Sequence, residues 1–344
     1  MKHPKISIII VTHNSEAYIQ QCLDALLRVT YQSIDIYVID NASTDNTTRI
    51  LNTYKRIHAT YLTKNIGFAE ANNRAWNTIR SEYVCSLNPD TVVEKSFFEP
   101  LLVEMEKNPR VGACQPIVYL LKDKNVINLT GKKTHFLGFD WIAGYKTTRV
   151  PMQQEITSFS GSGVLLRSSA LRDVGFFDPS YFMYYEDSDL AWKMRMRGWS
   201  IMFVPKSKMF HDYKYIPEKG GLNFPEKIFF NERNRLMNVL KNYSLWTLIL
   251  ILPAFLATEL GLLVVALLQG WFRAKIRSYF SLFIMLPSIL KKRSLVQKQR
   301  TVQDRDIGQR FETAITFEKF QHPLVRYIAN PILKWYWGII RHII

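Results

Sequence analysis

Cysteine is scarce: the chain of 344 residues has three, Cys22, Cys85 and Cys114, odd in number, scattered and without a CxxC pair. That argues against a disulfide framework or a cysteine-based zinc site and suits a reducing compartment. Acids are also short, 29 against 45 lysines and arginines, and none lies between Glu259 and Asp304. A formal net charge of +16 calls for an anionic partner: nucleic acid, a nucleotide or an anionic membrane. There is no internal repeat and no low-complexity tract. The opening MKHPKISIIIVTHN has too short an apolar run for a signal peptide and lacks a small-residue cleavage site. With 47% hydrophobic residues the chain is not disordered, and its length suits one large core or two smaller ones.

What is present is alternation. KISIIIVT (5–12) and IDIYVID (34–40) are apolar β-branched runs, ATYL (59–62) is a weaker one and YVCSLN (83–88) a fourth. Between them lie helical patterns: Tyr18, Ile19, Cys22, Leu23, Leu26 and Leu27 with Ser15 as a candidate cap, a second helix to about Tyr54, and NIGFAEANNRAWN as a glycine turn entering a third. This order predicts an α/β fold with a mainly parallel sheet. Ligands of such sheets lie beyond the carboxyl ends of the strands, which here carry His13-Asn14, Asp40-Asn41 and Asn88–Asp90. Further on, VGACQPIVYL (111–120) is strand-like, 122–150 has no clear period, and SFSGSGVLLR (158–167) is a glycine turn into a strand. In YFMYYEDSDLAWKMRMR (181–197), aromatics lead to Glu186-Asp187-Ser188-Asp189 at a helix start that Arg197-Gly198 ends. SIMFVP (200–205) is a short strand before a loop with His211-Asp212, and 225–243 is a basic amphipathic helix with Ile228, Phe229, Leu236, Val239 and Leu240 on its apolar side.

At about residue 245 the character changes. LWTLILILPAFLATELGLLVVALLQGWF is long enough to span a bilayer, yet cations flank both of its ends, and the positive-inside rule wants both on the cytoplasmic side. Either the segment is a hairpin bent near Pro253–Gly261, or it crosses once and Ile276–Leu290 returns; the bland alternative of a buried core helix is outweighed by such dense cations beside so long an apolar run. The tail 323–344 mixes aromatics and cations in the manner of an interfacial segment.

Each candidate residue has a bland reading beside its chemical one. Acids at a helix start, such as Glu186, Asp187 and Asp189, cap free N–H groups and favour the dipole. Asp40 can accept a base imide N–H or simply start a turn. Asn88-Pro89-Asp90 can hold a divalent cation against a diphosphate or be an Asx–Pro turn. A lone His211 is more often an ordinary residue than a metal ligand.

The order VTHNS, VIDNASTD, NIGFAEANN, LNPDT, a GSGV turn, YYEDSDLAWKMRMRGW and a downstream histidine resembles the inverting GT-A glycosyltransferases of family 2, in particular the bacterial rhamnosyltransferase-like branch. The resemblance covers about residues 4–242. It implies a GT-A nucleotide-diphospho-sugar transferase fold, a mainly parallel sheet flanked by helices, followed by a membrane-associated helical region. Thr12 and Asn14 would line the nucleotide pocket, Asp40 would read the base, and Asn41 would offer sugar contacts. Asn65, Gly67 and Asn72 would close over the donor. Asp90 would bind the metal, Mg2+ or Mn2+, with Asn88 where many relatives carry an acid. Asp187 would be the general base with Glu186 beside it. His211 would complete the metal site, although its loop departs from the commoner double-histidine form. Gly161 and Ser162 would build the acceptor side. The expected organisation is a catalytic domain over 1–242, hydrophobic membrane-associated helices over 243–290 and a basic, amphipathic tail over 291–344.

Three functions compete on this reading. The first is an inverting, metal-dependent transferase at the cytoplasmic face of the cell membrane, using a UDP- or dTDP-sugar (rhamnose among the candidates) and a lipid-linked or polysaccharide acceptor. The second is a membrane scaffold that keeps the fold without catalysis. The third, a nucleic-acid binder, fits less well, because the cations sit beside apolar segments rather than along a polar face.

Overall fold

The structure, a computed structural model, describes residues 4–213, 224–316 and 322–344; those parts of the expected catalytic and tail segments that fall at 1–3, 214–223 and 317–321 lie outside the described residues. In chain order come β1 (Ile6–Thr12), α1 (Ile19–Leu26), β2 (Ile34–Asp40), α2 (Thr47–Leu51), β3 (His58–Tyr61), α3 (Phe68–Trp76), β4 (Tyr83–Leu87) and β5 (Thr91–Val93). They are followed by α4 (Phe98–Lys107), β6 (Val111–Leu120), β7 (Ile127–Leu129), β8 (Lys132–Thr134), β9 (Asp140–Ile142), β10 (Gln154–Glu155) and β11 (Gly163–Arg167). The last group is α5 (Ser168–Val174), α6 (Glu186–Met196), β12 (Ser200–His211), α7 (Phe224–Asn242), α8 (Leu245–Leu268), α9 (Phe272–Gln299), α10 (Asp304–Gly308) and α11 (Asn330–Ile340). Contacts divide the chain into two compact units, one of Met1–Lys132, Ile142–Met194 and Trp199–Tyr215, the other of Lys133–Trp141, Arg195–Gly198 and Ile216–Ile344.

The first unit is built on a ten-stranded sheet of order β10-β12-β6-β11-β4-β1-β2-β3, with β5 added to β12 and β7 to β6. The neighbours β4-β1-β2-β3 run parallel, while β11 runs antiparallel to both β4 and β6. β1 shows why the sheet is buried on both faces. Ile6, Ile8 and Ile10 pack with α1 and α4 residues, whereas Ile9 and Val11 pack with α3, α5 and α6 residues. Alternating β-branched residues that are apolar on both faces specify such a central strand. Each of these isoleucines, fully buried, contributes about 1.5–3 kcal/mol relative to exposure.

Three local expectations change. Ser15 does not cap α1 through its side chain, which accepts from the His13 N–H at 3.3 Å; its carbonyl takes the Tyr18 and Ile19 N–H groups instead. The strand expected over 200–205 continues to His211, because a register shift between Val204 and Lys208 absorbs Pro205 and lets the strand resume against β6. His211 therefore ends a strand rather than sitting in a loop. The region without clear period holds β7, β8 and β9, each three residues long, too short for alternation to register in sequence.

The second unit is mostly helical. α7 is not one-sided: Arg233, Asn234, Arg235, Asn238, Lys241 and Asn242 are buried along with Leu236 and Val239. The polar groups find partners inside the unit. Arg235 bonds Glu232 (3.0 Å) and Glu259, Lys275 bonds Glu232 and Glu259 (2.8 Å to the latter), and the Tyr279 hydroxyl donates to Glu259 at 2.6 Å. Leaving any of these buried charges without its partner would cost about 3–5 kcal/mol. α8 is one continuous helix through Pro253 and Gly261, so of the two arrangements considered the hairpin is not formed there, and the chain reverses at Gly270 (φ 78°). α9 likewise passes the expected boundary at 290–291 without a break.

Candidate active site

The carboxyl ends of β1, β2 and β3 are woven together by their polar loops. Thr12 pairs with Asp40 in register, and the buried Asp40 carboxylate accepts from the Thr12 hydroxyl at 2.9 Å, the Ser43 hydroxyl at 2.5 Å and the Thr48 hydroxyl at 3.4 Å. Asp40 thus acts first as a strut for the loop beyond β2. The Asn14 side-chain oxygen accepts the Thr44 N–H at 2.8 Å, and Asn14 itself is left-handed, with φ 52°. Asn41 donates to the Asn65 side chain and accepts the Ile66 N–H, both at 2.9 Å, and Asn65 accepts the Gly67 N–H. The sequence-predicted residues Thr12, Asn14, Asp40, Asn41, Asn65 and Gly67 therefore form one continuous rim. Asn72 stands apart, buried in α3 with its amide donating to the Phe68 carbonyl at 2.9 Å.

A second set assembles where β4 ends. The Asn88 N–H donates to the Ser162 carbonyl at 3.0 Å, which ties the Asn-Pro-Asp turn to the Gly-Ser turn before β11. Antiparallel pairing of β12 with β5 sets His211 opposite Thr91, and His211 Nε2 lies 3.2 Å from Asp90 Oδ1. That oxygen is buried and has no hydrogen-bond partner of good geometry. The other ring nitrogen, Nδ1, lies 3.0 Å from Asn128 Oδ1. With Nδ1–H donated to Asn128, the Nε2 lone pair and a carboxylate oxygen face one another, an arrangement that a cation would satisfy. One carboxylate and one imidazole are donors of the kind that divalent cations take; among the described residues no group of three or more such side chains occurs.

The third set is at the start of α6. Asp187 Oδ2 accepts the Gly161 N–H at 3.0 Å, and Oδ1 accepts from Lys132 Nζ at 2.7 Å and from the Ser188 N–H at 2.8 Å. Gly161 is held from its other side by the Ser86 hydroxyl at 2.9 Å, and the hydroxyls of Ser160 and Ser162 lie 2.9 Å apart. Glu186, next to Asp187, is buried, with one carboxylate oxygen unpartnered. Burial, followed by the charge of Asp187, pushes its carboxyl up to about 8. Asp189 is fully buried and accepts from the Tyr181 hydroxyl at 3.2 Å. Ahead of α6, Phe182, Tyr184 and Tyr185 all have left-handed φ, between 63° and 70°. Such strain in non-glycine residues costs about 1–3 kcal/mol each and gathers at functional sites.

Lys132, Asn128 and Phe182 were not legible in the sequence. One lysine among 45 cations carries no signal, and its partner Asp187 is 55 positions away. Lys132 is set in place by backbone bonds, its N–H to the Ser158 carbonyl at 2.9 Å and its carbonyl from the Thr157 hydroxyl at 2.8 Å.

A mixed, mostly parallel sheet flanked by helices, with polar and acidic groups gathered at its carboxyl edge, defines the GT-A class of α/β fold. Residues 7–175, just under half of the chain, match the profile of glycosyl transferase family 2. It is 28% identical over 221 residues to the poly-beta-1,6-N-acetyl-D-glucosamine synthase of Staphylococcus epidermidis, covering 63% of this chain and 52% of the relative. It is 27% identical over 231 residues to the N-acetylglucosaminyl-diphospho-decaprenol L-rhamnosyltransferase of Mycobacterium tuberculosis, covering 60% of this chain and 75% of the relative. The chain thus spans about half the length of the synthase. Among solved structures, GalNAc-T7 with UDP, GalNAc and Mn2+ superposes with a TM-score of 0.59 at 14% identity, over 70% of this chain and 48% of that one. Residues 1–349 of S. aureus TarS with UDP give 0.52 at 16% identity, over 98% and 90%. At these identities the structures share the fold.

Proposed function

We propose that the chain is an inverting, metal-dependent glycosyltransferase that moves a sugar from a UDP- or dTDP-sugar to a lipid-linked or polysaccharide acceptor, at the cytoplasmic face of the membrane. The observation that carries it is the gathering of Asp90 with His211 and of Asp187 with Gly161 and Lys132 around one β4–β11 edge. Thr12, Asn14, Asp40, Asn41 and Asn65 serve the nucleotide side, with Gly67 and Asn72 in the segment that covers the donor. Asp90 and His211 would hold a divalent cation, with Asn88 beside them; when bound, Mg2+ or Mn2+ offsets the charge of a departing diphosphate. Glu186 keeps its proton near neutral pH, which leaves Asp187, paired with Lys132, as the carboxylate that takes the acceptor hydroxyl's proton. Lys132 and the Gly161 N–H fix that carboxylate's orientation, while Gly161 and Ser162 face the acceptor.

One observation favours the alternative of a non-catalytic scaffold: both oxygens of Asp187 are already engaged. A panel of nucleotide sugars, with and without Mn2+ or Mg2+, decides between them. A nucleotide-activated L-rhamnose donor and an N-acetylglucosaminyl-diphospho-polyprenol acceptor are the first to try, following the name of the mycobacterial relative. In Asp187→Asn, kcat is expected to fall about 10²–10⁴-fold with donor affinity kept. Full turnover in that variant would remove the base assignment, and no transfer or hydrolysis of any donor by the parent chain would favour the scaffold.

A further inference from the structure

We infer that α8, α9 and α11 lie in the plane of one bilayer leaflet, their apolar faces in the acyl layer and their cations at anionic headgroups, and that α8 does not cross the membrane. This rests on the membrane reading above and replaces the crossing arrangement that the sequence leaves open.

By length α8 could cross, since 24 residues rise about 36 Å. Its surroundings forbid lipid on every side. Glu259, near the middle of α8, is buried and paired with Arg235 of α7 and with Lys275 and Tyr279 of α9. A bilayer enclosing α8 would therefore have to take in α7 as well, with its Glu232, Arg233, Asn234, Asn238 and Lys241. Charged and amide groups at that density are not accommodated in hydrocarbon.

A second face of α8 is bare. Ile249, Leu252, Leu256, Leu260, Val264 and Leu267 are exposed and recur every three or four residues, which is one stripe along a helix. α11 packs on α8, its Tyr336 hydroxyl donating to the Leu250 carbonyl at 2.7 Å, and exposes Ile332, Trp335 and Ile339. Charge complementarity identifies the occupant. Arg273, Arg277, Lys291 and Lys298 on α9, Lys334 on α11 and Arg341 just beyond it are exposed. The only acid in α8, α9 and α11 is the buried Glu259. An apolar stripe on a set of helices whose exposed charges are all cationic fits the surface of an anionic leaflet, with aromatic rings at the boundary. Both ends of α8 then lie on the cytoplasmic side, as their cationic flanks require.

The test uses the full chain, whose three cysteines are buried. Gln269→Cys, at the α8–α9 turn, and Lys298→Cys, at the far end of α9, are treated with a membrane-impermeant maleimide in inverted and right-side-out membrane vesicles. Both are expected to react from the cytoplasmic side only. Reaction of Gln269→Cys solely from the opposite side would establish a crossing and overturn the inference, with membrane binding itself intact. In parallel, the chain should float with phosphatidylcholine vesicles containing phosphatidylglycerol, and more weakly without it. A Leu256→Glu/Leu260→Glu variant should lose at least about tenfold of that binding while still binding UDP. A chain that floats with neither vesicle and is a soluble dimer would place a second copy on the stripe, and the membrane reading would fail with the inference. Turnover in the donor panel is a separate readout and stands under any of these outcomes.

Discussion

Glu186 and Asp187 are neighbours with opposite surroundings. Asp187 meets an ammonium and two N–H groups; Glu186 is buried with an unpartnered oxygen and beside a like charge. In the unfolded chain Glu186 titrates near its ordinary 4.5, and in the folded chain near 8. Between those values the folded state holds a proton that the unfolded state has released. Stability due to this group is therefore present below about 4.5 and is lost as pH rises toward about 8. Glu186→Gln cannot ionise, so its Tm relative to the parent should climb across that window in thermal melts at stepped pH; a constant difference would show that the carboxyl titrates normally. Lys132 acts through Asp187. Lys132→Met should lower kcat on the order of tenfold, with donor KM unchanged. An unchanged kcat would remove Lys132 from the positioning of that carboxylate.

At the scale of elements, the α3 entry and the loop before α6 are fitted to each other. Gly67 has φ 85°, and a Cβ there would come within 2.6 Å of the Phe182 ring and 2.7 Å of its carbonyl oxygen. The Ala69 N–H donates to that same carbonyl at 3.2 Å. Gly67→Ala should therefore destabilise by more than about 1 kcal/mol, seen as a lower denaturation midpoint, and should weaken donor binding. A neutral effect would mean that the 65–67 and 181–185 loops do not hold each other. Glycine in NIGFAE announces a turn from sequence alone, but the ring it faces lies more than a hundred residues further on. The same limit applied to β12: Pro205 reads as a strand end, and only the pairing with β6 and β5 carries the strand to His211.

At the scale of the molecule, topology makes the candidate metal site. β12 crosses to pair with β5 and β6, and in doing so brings His211 to Asp90 and to Asn128, the latter 83 positions away. Asn128 touches the outer nitrogen of the imidazole, and losing such an orienting partner typically weakens metal affinity about 10–100-fold. Asn128→Ala should raise the half-saturating Mn2+ concentration by about that factor in turnover or in direct Mn2+ titration, with UDP binding at saturating metal unchanged. An unaltered Mn2+ requirement would sever His211 from the metal.

Much of this protein is written locally. β-branched runs buried on both faces dictate central strands, turn chemistry at their ends sets Asp40, Asn88 and Asp90 at one edge, and the acids of EDSD mark a helix start; none of these needs a distant partner. The rest depends on partners far away in the chain. That Glu186 keeps its proton follows from burial and from the charge of Asp187 beside it. Whether His211 meets Asp90 follows from a strand crossing. Whether α8 crosses a bilayer follows from the ion pairs that bind its Glu259 to a polar helix. Burial, pairing and register are properties of the assembled neighbours, and only the folded chain supplies them.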